Sequence, residues 1–158
     1  TIRMFNLIIK DILNEYDSLR YESKNIKLIN LVTYTIINRL LLIAVRLTNH
    51  CNKETIVDLY IDLAMKIELP MLSYSLDSIN NQKEINKLIR NIYYQNIASV
   101  FEINKSVVIK ITKLTIFIIG YFIKNGNNKN QLDNSLILSN LENLNKDLYL
   151  YIINKYSF

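Results

Sequence analysis

NKSVVIKITKLTIFIIGYFIKNG, residues 104–126, decides the fold. It holds a nineteen-residue apolar run, Ser106 to Lys124, yet carries Lys110 and Lys113 near its start. A buried amine is costly unless it is paired or reaches water along its own stem. A membrane span of this length rarely keeps two. The run is too long for a strand, and its Asn-Lys-Ser start and Lys-Asn-Gly end are helix punctuation. It therefore reads as the central helix of a soluble bundle, one end of which meets a charged neighbour.

The rest of the chain agrees with a helical reading. At 158 residues it fits one domain, 1–158, large enough for its own core. Half of the residues are hydrophobic, which excludes disorder. Only 2 Gly and 1 Pro occur, too few for the turns of a sandwich or barrel. Ile and Asn are over-used, at 27 and 22 residues, a bias attributed to AT-rich coding rather than to structural need. The charge of +5 is scattered, and with no Trp and no recognition motif the chain gives little reason to expect nucleic acid as a partner.

Periodicity places the elements. A first helix is expected over 2–17, with Phe5, Ile8, Ile9, Ile12 and Leu13 as its stripe. A second runs over 26–47 and is apolar nearly all round from Leu40 to Val45. A third covers 53–67, with Ile56, Leu59, Tyr60 and Leu63 at helical spacing. Pro70 ends it, and the irregular stretch 71–82 has room for one short helix. Helix returns over 83–100, and NGNNKNQ after the central helix is the strongest turn, with Gly126 expected as a left-handed cap. Segments 132–141 and 144–156 complete an all-α, single-domain globular bundle of about seven helices around a central apolar helix.

Catalytic chemistry is thinly supplied. His50 stands beside Cys51, but sequence neighbours rarely hold nucleophile–base geometry and no orienting third group is evident. Cys51 reads as a small buried or half-buried residue. Asp58, Asp62 and Glu54 share a helix face without the Glu-x-x-His partner of a bundle metal site. Two glycines cannot build a phosphate loop. No enzyme, cofactor, metal site or small-molecule substrate is expected. Lys110 is left as the residue of interest, either at the rim of an apolar groove or in an ion pair within the chain.

Residues 104–122 resemble the central hairpin helix of the Bcl family of apoptosis regulators, in the diverged form that poxviruses carry. Phe101 falls at the aromatic approach, Lys110 at the basic position, and Ile111, Leu114 and Phe117 in the helix. Upstream, TIINRLLLIAVRLTNHCNKETIVDLYIDLAMK is similar to the second and third helices of that family, Leu59, Tyr60 and Asp62 matching its leucine-tyrosine-acid stretch. Val108 stands where a glycine is usual, and Lys110 replaces an arginine, without its bidentate fork.

The resemblance implies a viral inhibitor of host apoptosis that sequesters the amphipathic helix of pro-apoptotic host proteins in a hydrophobic groove. Ile85, Leu88, Ile89 and Ile92 would form one wall, with Val107, Lys110 and Ile111 on the other. The alternatives are a Bcl-like inhibitor of inflammatory (NF-kappa-B) signalling that uses a surface outside the groove, and a structural helical subunit. The resemblance allows a homodimer. It also implies the host cell cytoplasm, with the mitochondrial outer membrane reached only by a longer chain that carries a C-terminal anchor.

Overall fold

The computed structural model describes residues 4–76, 82–97 and 101–156. Of the described residues 71% are helical, so the fold is all-α, and the described strands are only two residues long. Seven helices occur among the described residues: α1 (Asn6–Leu13), α2 (Ser23–His50), α3 (Asp58–Glu68), α4 (Lys83–Asn96), α5 (Lys105–Asn125), α6 (Asn134–Leu144) and α7 (Lys146–Lys155). Strands β1 (Thr55–Ile56) and β2 (Glu102–Ile103) pair in parallel, and β3 (Asn127–Asn128) and β4 (Gln131–Leu132) form a hairpin. The chain packs as two compact units, Thr1–Tyr34 with Ile118–Phe158, and Thr35–Phe117.

In the first unit, Phe5, Ile9, Ile12 and Leu13 are buried as expected, while Ile8 is half-buried. The Phe5 backbone N–H donates to Asn30 Oδ1 at 2.7 Å, and the Asn30 amide donates to Asn6 Oδ1. Lys129 and Asn130 both have positive φ, 53° and 64°, between the paired Asn128 and Gln131. Two left-handed residues in a two-residue loop match the right-handed twist of a hairpin. Gly126 does not have positive φ and so does not serve as a left-handed cap. It is needed for a close approach, since a Cβ there would sit 2.5 Å from Ile137 Cγ1 and 2.6 Å from the Phe122 carbonyl oxygen. Asp133 and Asn145 cap α6 and α7 by accepting from the N–H groups of Ser135 and Leu148.

In the second unit, α2 ends in a Schellman motif. Asn52 is left-handed with φ 54°, the Lys53 N–H donates to the Thr48 carbonyl, and the Asn52 N–H donates to the Asn49 carbonyl. The helix expected from residue 53 begins later, at Asp58, because Thr55–Ile56 pairs with Glu102–Ile103 instead. Residues 71–76 carry no helix, and 77–81 lie outside the described residues, as do 98–100 beyond α4.

The run 106–124 is one helix, α5, capped by Asn104, whose Oδ1 accepts from the Val107 N–H at 3.0 Å. Val107, Val108, Ile111 and Leu114 are fully buried along it, as are Ile118 and Ile119 farther on. Leu114→Ala removes buried methyl groups and leaves a cavity, so it is expected to cost about 2–5 kcal/mol. Denaturant melts of the variant and the parent chain measure the difference. A loss below about 1 kcal/mol would contradict this burial.

Candidate functional site

Within the second unit, polar side chains of α3 meet α5. Ser106 Oγ lies 3.2 Å from Asp58 Oδ1, and Lys110 Nζ lies 2.7 Å from Asp62 Oδ2. Both helices advance by four residues between these contacts. α3 and α5 therefore run in the same sense, continuing the parallel pairing of β1 with β2. Each short strand leads into its helix after one residue, Val57 or Asn104. Two strand–helix segments thus lie side by side, a relation that no sequence repeat announces.

Asp62 is the hub. Besides Lys110 it accepts a hydrogen bond from the Tyr74 hydroxyl at 2.9 Å, and the Tyr74 ring meets Phe117 edge-on with centroids 6.3 Å apart. The Lys110 side chain keeps 19% of its exposure and Asp62 keeps 38%, so the pair is partly desolvated. Burial, and then the hydrogen bond and charge of Asp62, push the Tyr74 phenol up to about 12. Deeper in this unit, Arg39 forms an ion pair with the buried Glu68 through Nε, and its Nη2 lies 3.4 Å from Glu68 Oε2.

The residues expected to wall a groove are mostly buried. Ile85, Ile89 and Ile92 on α4 are buried, as are Val107 and Ile111 on α5, while Leu88 is half-buried. Thr112 Oγ1 donates to Asn86 Oδ1 at 2.5 Å, which closes α4 on α5 next to Ile85 and Ile111. These residues form core in this structure, and Val108 fills its position with no exposure. Lys110 finds its acidic neighbour within its own chain. Lys113 is half-buried and joins no ion pair among the described residues.

The helix α3 is turned away from the expected stripe. Tyr60, Ile61, Ala64 and Met65 are buried, whereas Leu59 is 59% exposed. His50 and Cys51 are both exposed at the end of α2, so Cys51 is not the buried residue anticipated. No cluster of three or more metal-ligating side chains occurs among the described residues. A cleft of about 300 Å³ beside the β1–β2 pair is lined by Glu54, Thr55, Phe101 and Glu102, and offers two carboxylates rather than an apolar floor.

No family model, no curated protein and no solved structure matches the chain.

Sequence reading singled out Lys110 but not its partner. The signal was present as a shared interval, since Asp58 and Asp62 are spaced like Ser106 and Lys110. Asp62→Asn leaves the Lys110 amine without its counter-charge and is expected to cost about 1–3 kcal/mol, while Lys113→Met should stay within about 0.5 kcal/mol. Equal effects in denaturant melts would contradict the assignment.

Tyr74 gives a second prediction. Its folded-state pKa lies above the ordinary phenol value of 10.0, so folding favours the neutral phenol. That contribution is complete below pH 10 and is lost as pH rises through about 12. Between about pH 9 and about pH 11.5 the parent chain should lose more stability than Tyr74→Phe does. Parallel losses would show that Tyr74 does not carry it.

Proposed function

We propose that this chain is a non-enzymatic, Bcl-like inhibitor of host inflammatory signalling that engages protein partners through an exposed surface rather than by sequestering a helix between α4 and α5. The observation that supports this reading is the burial of the expected groove walls. Five of the residues assigned to its walls, Ile85, Ile89, Ile92, Val107 and Ile111, are buried, and Lys110 is already paired with Asp62. The Bcl-like kinship rests on the resemblance of residues 104–122 and of the stretch around Leu59, Tyr60 and Asp62. Action in the host cell cytoplasm belongs to the same proposal.

Magnitudes favour the closed form. Exposing a buried aliphatic side chain costs roughly 1.5–3 kcal/mol. An incoming helix has to restore that for each wall residue before it gains any net affinity, and must also displace Asp62 from Lys110. Lys110 itself favours groove capture as the second reading. It stands at the basic position of the resemblance and already holds an aspartate, whose place the acidic residue of a bound helix would take.

Calorimetry against a panel of pro-apoptotic amphipathic peptides separates the two. The proposal expects no binding heat across the panel, together with a reduced NF-kappa-B reporter response in cells that express the chain. Saturable peptide binding that Lys110→Glu weakens by about tenfold or more would overturn it in favour of groove capture. A reporter response unaffected by the chain would overturn the signalling role.

A further inference from the structure

The turn of α3 that buries Tyr60, Ile61, Ala64 and Met65 leaves an apolar row outside. Leu59, Leu63 and Ile67 follow one another at four-residue steps and so lie along one face. Leu59 and Ile67 are each 59% exposed, Leu63 is half-buried, and Met71 just past the helix is 77% exposed. Side chains this exposed project from the surface. A projecting apolar row can enter a deformable apolar medium, which needs no cavity of matching shape.

The charges around the row select the medium. Taking Leu63 as zero and one residue as 100°, Lys66 lies about 60° to one side. Asp62 and Asp58 lie farther round, at about 100° and about 140°, turned toward α5. There Asp62 meets Lys110 and Tyr74, and Asp58 meets Ser106. The opposite flank belongs to α2. Arg39, eleven residues before α2 ends at His50, pairs with Glu68, ten residues after Asp58 opens α3, so the two helices run antiparallel. Arg46 follows Arg39 by two turns and therefore stands on the same side of α2, beside the middle of α3. Arg46 and Lys66 are exposed, and neither joins an ion pair among the described residues. Glu54, before the start of α3, lines the cleft beside β1 and β2 together with Glu102. The free charge bordering the row is thus basic on both flanks.

We propose that this face rests on the surface of an anionic lipid bilayer. α3 lies in the plane of the surface, with Leu59, Leu63, Ile67 and Met71 at the acyl boundary and Lys66 and Arg46 among the lipid headgroups. A helix that is apolar on one side and flanked by basic residues binds in the interface and does not cross it. The eleven residues of α3 span about 17 Å, well short of the ~30 Å hydrocarbon core. The net charge of +5 adds a longer-range attraction to the same surface. Since both flanks carry one sign, a second copy on this face would set cations against cations. Four apolar side chains and two cations make the association weak and reversible. It needs no C-terminal anchor.

Co-sedimentation of the full chain with vesicles tests this, using phosphatidylcholine alone or mixed with phosphatidylserine. Binding to the mixed vesicles is expected, about tenfold or more tighter than to the neutral ones, and weaker as salt rises. Lys66→Gln and Arg46→Gln should each weaken it about fivefold, whereas Lys129→Gln on the β3–β4 hairpin should change it little. Ile67→Ser should weaken it by about tenfold or more, whereas Leu7→Ser, at an exposed leucine of α1, should not. The chain has no Trp, so Ile67→Trp supplies a single reporter whose emission should shift to the blue on binding. All these positions are exposed, and dichroism confirms that the variants fold. Absence of binding to the mixed vesicles would overturn the proposal. Equal losses from Lys129→Gln and Lys66→Gln would mark unspecific adsorption of a basic chain and contradict it, as would binding indifferent to Ile67→Ser. Self-association abolished by Ile67→Ser, without vesicle binding, would assign the face to a second copy instead. None of these outcomes depends on whether the signalling role holds.

Discussion

A long apolar helix can be buried only if each polar atom it carries into the interior is met there. Hydrophobic burial is non-directional and leaves α5 free to slide or rotate against its neighbours. Its polar side chains remove that freedom. Ser106 and Lys110 select Asp58 and Asp62 on α3, and Thr112 selects Asn86 on α4. Thr115 turns back to the Ile111 carbonyl at 2.8 Å, satisfying its hydroxyl within the helix. The two lysines of the central run therefore have different accounts. Lys110 is paired and partly desolvated, whereas Lys113 is half-buried and joins no ion pair among the described residues.

That constraint explains what the sequence made legible. α2 and α5 were visible because 28 and 21 residues of helical, mostly apolar sequence admit no competing element. α6 and α7 were visible through their spacing, and their starts shifted by only two residues each, to the caps that Asp133 and Asn145 provide. The face of α3 was misread for a physical reason. Counting apolar residues treats Leu59 and Leu63 as equal to Tyr60 and Met65, yet Asp58 and Asp62 have to reach α5, and Glu68 has to meet Arg39. Rotation of the helix is set by those polar pairs, and the apolar stripe follows. Ile56 left the stripe altogether by joining the β1–β2 pair, a non-local contact that no local period reports.

The asparagine surplus also acquires a structural use. A chain with 2 Gly and 1 Pro must turn with other residues. Asn52 closes α2 in the left-handed region, and Asn130 with Lys129 turns the hairpin. Asn104 and Asn145 cap helices, while buried Asn25 and Asn30 fold their amides onto neighbouring chain segments. Asparagine tolerates positive φ and accepts from free N–H groups at helix starts, so it performs both tasks that glycine and serine usually share. Abundance alone does not explain why asparagine stands at these positions.

The same polar pairs bear on function by deciding which apolar surface is hidden. Holding Asp58 and Asp62 toward α5 places them at one edge of the buried face of α3, and that orientation leaves Leu59 and Ile67 outside. Meanwhile the bond from Thr112 to Asn86 ties α4 to α5, and Ile89 and Ile111 on these helices are both buried. Both effects follow from pairing polar side chains, and those that are desolvated cost about 1–3 kcal/mol each when unmet. Exposure of one aliphatic side chain on α3 costs a comparable amount. The balance between them is close enough that a partner covering Leu59, Leu63 and Ile67 removes the unfavourable side while every internal polar pair stays in place. A helix entering between α4 and α5 must instead break polar and apolar contacts together. Recognition on the outer face of α3 is therefore compatible with the fold as it stands, and recognition between α4 and α5 requires the fold to change.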